Sequence, residues 1–180
     1  NNTADHLFTK PEFTLSAFAI PTHESVSPAN QALFDQLKHG LGMVPNLYAT
    51  LAHSETALGS YLTLQNAKSS ITGKAREVVN LVVSQVNRCE YCLAAHTVIG
   101  GMVGFTPEQI IEIRQGRASF DAKLDALARL VRSIAIERGH ADPALVDAFL
   151  AAGWTPGHLV DAIVVIGDKT VTNYLHGTTK

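Results

Sequence analysis

Apolar residues recur at three- and four-residue spacing along most of the chain, between recognisable helix start and stop signals. Ser27 can cap a helix with Pro28 at its first position, running to about His39 ahead of Gly40 and Gly42. Pro45 precedes a short periodic stretch, Leu47 to Leu51, and a helix from about Ser54 to Ala67 carries Leu58, Tyr61, Leu62 and Leu64. Thr72 caps a helix through about Val86 that is apolar around much of its circumference, which predicts a central position. Asn87 or Arg88 marks a turn, and the next helix, from about Cys89 to Val103, ends at Gly104. Thr106-Pro107-Glu108-Gln109 reads as a cap, a first-turn proline and a capping-box partner for a helix that stops at Gly116. From Asp121 to Arg138, Leu124, Leu127, Ala128, Val131 and Ala135 share one face. Asp142-Pro143 opens a short helix to about Ala152, and Thr155-Pro156 opens the last, to about Leu175.

Strand-like residues occur in Leu81-Val82-Val83 and from Ala162 to Ile166. Each run lies inside a capped helical segment longer than a typical strand, so length decides for helix. No hairpin dipeptide separates alternating segments, and no low-complexity tract or long linker interrupts the chain. The pattern predicts an all-α, single-domain helical bundle over residues 28–180. Residues 1–27, with Pro11, Pro21 and scattered Ser and Thr, form an irregular arm. Its apolar residues, Phe8, Phe13, Leu15, Phe18 and Ile20, equip it to pack over the bundle or over a partner subunit.

Composition narrows the classes of function. The 180 residues are 46% hydrophobic and 17% charged, which is globular and not disordered. A net charge of −2 offers no basic field for nucleic acid and no polybasic surface for a membrane. No apolar run is long enough to span a bilayer, and residues 1–12 carry no charged-then-apolar leader pattern, so a cytoplasmic location is expected. Asn1 stands where an initiator Met would, which leaves room for an upstream or processed segment. The two cysteines, Cys89 and Cys92, would close too small a loop to stabilise a fold, so they point to chemistry.

In Cys89-Glu90-Tyr91-Cys92-Leu93-Ala94-Ala95-His96, positions i, i+3 and i+7 share one helix face. An i,i+3 pair brings two Cα atoms to about 5 Å, within disulfide range. His96, one turn beyond Cys92, can take its thiol proton and favour the nucleophilic thiolate. Asn87 can cap the same helix with Glu90 as box partner, which places Cys89 at the positive end of the dipole near Arg88. The dipole favours Cys89 and the histidine favours Cys92, and spacing alone leaves the choice open. Glu77 belongs to a polar stripe with Asn80, Ser84 and Asn87 on an otherwise apolar helix. If the chain reverses near Asn87, Glu77 lies about 15 Å back along one helix and His96 about 13 Å forward along the other, so the two stand abreast. A carboxylate there can orient the imidazole and relay its proton.

Blander roles compete with these. A CxxC can be half of a zinc site, yet there is no second cysteine pair, only histidines such as His53, His140, His158 and His176. Buried cysteines can be inert, His96 can be a core histidine, and Glu77 can be a solvated first-turn glutamate. A thioredoxin-like role would need a βαβ context that the pattern lacks.

Taken together, Glu77, Cys89-Glu90-Tyr91-Cys92 and His96 resemble the signature of the alkylhydroperoxidase D-like proteins of the carboxymuconolactone decarboxylase superfamily. Val44-Pro45-Asn46, Thr72-Gly73-Lys74-Ala75-Arg76-Glu77, Gly153-Trp154-Thr155 and Thr172-Asn173-Tyr174 are similar to the peroxidase-related branch. The resemblance spans roughly residues 40 to 176. It implies an all-α fold around a central antiparallel helical hairpin, assembled into homo-oligomers, and peroxide reduction without haem, flavin or metal. It also implies that Cys92 attacks the peroxide and becomes a sulfenic acid, that Cys89 resolves it as a disulfide, and that His96 and Glu77 form the proton relay. The expected partners are a small hydroperoxide and an unidentified thiol reductant. One departure stands out: the best-studied relatives carry a histidine just before the second cysteine, where this chain has Tyr91, a poor base near neutral pH. Two other classes compete. One is acid–base decarboxylation of a lactone acid, which needs no cysteine pair. The other is a non-enzymatic binding or redox-sensing oligomer.

Overall fold

A computed structural model describes residues 18–179, and among these the regular structure is helical throughout. The organising element is the helix Gly73–Val86, fourth in chain order and here α4. Its Val78, Val79, Leu81, Val82 and Val83 are fully buried. A helix apolar on so many sides is stable only when enclosed, and burial outweighs the modest helix preference of its valines. Four helices enclose it: α5 (Glu90–Met102), α6 (Pro107–Arg114), α7 (Ala122–Ile136) and α9 (Pro156–Thr179). The main core joins α4 to Leu93, Ile110, Ile113, Leu127, Val131, Phe149 and Val165. α8 (Pro143–Ala151) packs on α7, and after it Trp154 stacks on Phe149 at 5.5 Å and donates its indole N–H to the Lys123 carbonyl.

The three earlier helices, α1 (Pro28–Leu41), α2 (Asn46–Leu51) and α3 (Ala57–Gln65), form a smaller second core around Phe34, Leu51, Leu58 and Tyr61. α2 and α3 both lean on α9, which ties the two cores together. The start signals work locally as expected. Ser27 accepts from the Asn30 N–H, Thr106 and Gln109 form a reciprocal capping box, and Asp121 and Asp142 cap α7 and α8.

Three boundaries differ from the sequence expectation. α3 begins at Ala57 instead of near Ser54, because the Ser54 hydroxyl accepts from the N–H groups of Thr56 and Ala57 and holds a turn there. Thr72 stands at the N-cap of α4 but makes no side-chain cap bond. α9 continues to Thr179, four residues past Leu175. Of the N-terminal arm, residues 18–27 are described and include the short 3-10 turn His23–Ser25. Phe8, Phe13 and Leu15 lie outside the described residues.

Candidate active site

α4 and α5 form the antiparallel hairpin, and its turn sets the site. Asn87 closes α4, Arg88 takes a left-handed conformation (φ 54°), and the Cys89 N–H returns to the Ser84 carbonyl at 3.0 Å. The cap of α5 is therefore Cys89 and not Asn87: the Cys89 sulfur accepts from the Cys92 N–H at 3.4 Å. The Asn87 side chain turns instead to α9 and donates to Asn173 Oδ1 at 3.1 Å. Cys89 keeps the dipole position expected of it, by a route that makes its own sulfur the capping group.

Both cysteines are free and only 3% exposed, with their sulfurs 2.7 Å apart. Burial, followed by the bonding to Cys89, pushes the Cys92 thiol up to about 11. Neutral pH therefore leaves this sulfur protonated.

The hairpin brings His96 and Glu77 abreast, as the spacing predicts. His96 lies on α5 one turn beyond Cys92, and its Nδ1 is 2.7 Å from Glu77 Oε2 on α4. The second Glu77 oxygen accepts from Asn80 Nδ2 at 2.8 Å, so the carboxylate is held from both sides. All three groups are buried. A carboxylate on one ring nitrogen leaves the other for proton traffic.

The polar stripe of α4 thus faces two neighbours. Glu77 and Asn80 serve α5, while Ser84 accepts from Asn173 of α9 at 3.2 Å and Asn87 reaches the same residue. Of the α9 side of the site, the sequence pointed only to Thr172-Asn173-Tyr174, through the resemblance and with no role attached. There Asp168, Lys169, Thr172 and Asn173 are all buried, two adjacent pairs four residues apart that repeat on one face. Asp168 accepts from Tyr61 at 2.7 Å and pairs with Arg76 at 3.0 Å. That polar repeat within an apolar helix was the available signal. Tyr91, between the cysteines, is part-exposed and stacks on His176 with centroids 4.9 Å apart. Among the described residues, no three His, Cys, Asp or Glu side chains gather as a metal site, and no helix is long and apolar enough to cross a membrane.

Fold and site together define an all-helical protein in which a Glu–His pair stands beside a CxxC at a helix start, on a fold similar to that of alkylhydroperoxidase cores. Residues 52–133 match the model of the Carboxymuconolactone decarboxylase family, and this stretch holds Glu77, Cys89, Cys92 and His96. A peroxidase-related protein from Silicibacter sp. TM1040 superposes with a TM-score of 0.75 at 20% identity, covering 97% of this chain and 93% of that one. The alkylhydroperoxidase core of a peroxidase-related protein from Ralstonia eutropha JMP134 gives 0.78 at 18%, covering 89% and 88%. The debrominase Bmp8 gives 0.69 at 14%, covering 84% of each chain. At these identities the shared property is the fold. No curated protein matches the sequence.

Proposed function

We propose that the protein reduces hydroperoxides through a Cys89/Cys92 dithiol–disulfide cycle, with His96 and Glu77 relaying the proton. The observation that carries this is the convergence of two free thiols 2.7 Å apart and a Glu77–His96 pair of 2.7 Å on the two arms of one hairpin. The Cys92 S–H proton passes to the ring nitrogen of His96 that does not face Glu77, and the imidazolium is balanced by the carboxylate. The thiolate attacks the terminal oxygen of ROOH. The O–O bond breaks, Cys92–S–OH forms, and the departing alkoxide takes the proton from His96 as ROH. Cys89–SH then displaces hydroxide from the sulfenic acid, giving the disulfide and water. An external dithiol restores the two electrons. The resemblance assigns attack to Cys92, and its place one turn from His96 supports that order.

A second use of the same two electrons is favoured by the fold shared with a debrominase that has also been seen in complex with 2,3,4-tribromopyrrole. In that case a C–Br bond is replaced by C–H, with bromide released and the same disulfide formed. Assembly into a homo-oligomer belongs to the proposal as well. It is supported by an exposed apolar stripe along α9, comprising Val160, Ile163, Val171 and Tyr174.

Stopped-flow loss of thiols in the pre-reduced protein, after addition of an organic hydroperoxide, tests the main proposal. The expectation is rapid loss of both thiols, abolished in Cys92→Ser. Loss no faster than that of a free thiol removes the peroxidase, and bromide release from a bromopyrrole would then favour the second use.

A further inference from the structure

The dithiol is buried, so a substrate recognised before it reacts must be held by the surface beside it. Cys89 and Cys92 are each 3% exposed, whereas Tyr91, between them in the chain, is 39% exposed. Tyr91 directly precedes Cys92, which fixes their Cα atoms about 3.8 Å apart. Its ring stacks on His176 of α9, with centroids 4.9 Å apart and planes 19° from parallel. The proton relay uses neither ring.

The stacked pair forms part of the wall of a cleft of about 200 Å³. Leu47 of α2 lines it as well, and Phe18 and Ile20 of the N-terminal arm complete its apolar surface. Thr50 and Thr179 also line it, but their hydroxyls donate to the carbonyls of Asn46 and Leu175 in their own helices, at 2.9 and 2.8 Å. Among the described residues that line the cleft, none is Asp, Glu, Lys or Arg. Such a wall strips water from a charged ligand and returns no counter-charge, so it selects a neutral one. An apolar cavity of about 150 Å³ is enough for a benzene ring. The cleft therefore suits one ring with a short branch, and the nearly parallel rings of Tyr91 and His176 offer that ring a stacking or edge-on partner.

We propose that this cleft seats the organic group of a neutral aryl hydroperoxide, and that Tyr91, His176 and Leu47 set the preference for it. The chemistry rests on the dithiol reading above, in which ROOH takes two electrons from Cys89 and Cys92 and leaves as ROH and water. Seating of the ring is measurable without turnover, so the cleft and the peroxidase reading can fail separately.

Two measurements test it. Saturation-transfer NMR reads the binding of 2-phenyl-2-propanol, the unreactive alcohol that cumene hydroperoxide leaves, to the reduced protein. The parent is expected to bind it, and the affinity is expected to fall about tenfold or more in Leu47→Trp, which fills the cleft, and in Tyr91→Ser, which removes the ring. Stopped-flow thiol loss then compares cumene hydroperoxide with hydrogen peroxide, which has no organic group. The ratio of the two rate constants is expected to favour the aryl hydroperoxide in the parent and to fall about tenfold or more in either variant. A merely structural effect would slow both oxidants alike. Tyr91→Ser keeps the comparison available if the tryptophan variant does not fold. Alcohol that does not bind the parent, or that binds the folded variants equally well, overturns the proposal. So does a rate ratio that both variants leave unchanged. If neither oxidant consumes thiols faster than a free thiol reacts, the peroxidase reading fails, and the alcohol titration still decides whether the cleft is an aryl site.

Discussion

The sulfur of Cys92 carries two opposed demands. Burial that keeps solvent from a sulfenic acid also keeps the thiol protonated, with its pKa raised to about 11. Since the thiolate is the reacting form and the pKa is raised, reactivity must grow with alkalinity. Alkylation of Cys92 is expected to rise about tenfold per pH unit from pH 8 and to level off near 11, read by timed quenching and mass spectrometry. An inflection below 9 would show that the site depresses this thiol instead. Glu77 is expected to matter through His96: Glu77→Gln should slow hydroperoxide-driven thiol loss about a hundredfold and leave slow alkylation at high pH intact. Equal rates in the variant would remove the carboxylate from the relay.

Helix ends carry more of the specification than helix middles. α6 ends at Arg114, and the chain turns through Gly116 at φ 81°, where an added Cβ would lie 2.3 Å from the Arg132 side chain. The left-handed backbone alone makes Gly116→Ala cost about 1–2 kcal/mol, and Arg132 must also move. Urea titration should show that loss at unchanged slope. The hairpin turn works differently, because Arg88 occupies a left-handed conformation without being glycine. Its cost is offset by the bond from the Cys89 N–H to Ser84 and by the sulfur cap on α5. The turn therefore places Cys89 at the helix start and stacks Glu77 against His96 in a single arrangement.

For the molecule as a whole, α4 is the axis on which both function and stability depend. Phe149 is fully buried against this core from α8, and Phe149→Ala should destabilise by about 3–5 kcal/mol in chemical denaturation, without direct contact with the dithiol. α9 has two unlike faces: one buries Asp168, Lys169, Thr172 and Asn173, and the other presents Val160, Ile163, Val171 and Tyr174 to solvent. Ile163→Asp should dissociate the proposed oligomer, as read by light scattering across a concentration series. A parent protein that is monomeric throughout would end that part of the proposal.

Most of the helices were legible because their signals are local. Ser27-Pro28, the Thr106–Gln109 box, Asp121 and Asp142 act within a turn of where they stand, and helical period exposed the central position of α4. Glu77, Cys89, Cys92 and His96 were legible too, since one tight reversal and a constant rise per residue are enough to bring them abreast. The burial of Lys169 and Asp168 was not, nor were the bonds of Asn173 to Ser84 and Asn87. They depend on how α9 docks across α4 and α5, and that angle follows from the packing of many side chains from distant parts of the chain. Local spacing was enough to bring Glu77, Cys89, Cys92 and His96 together. The tertiary structure decided which charges surround them, because burial and electrostatics depend on every element that closes over a site.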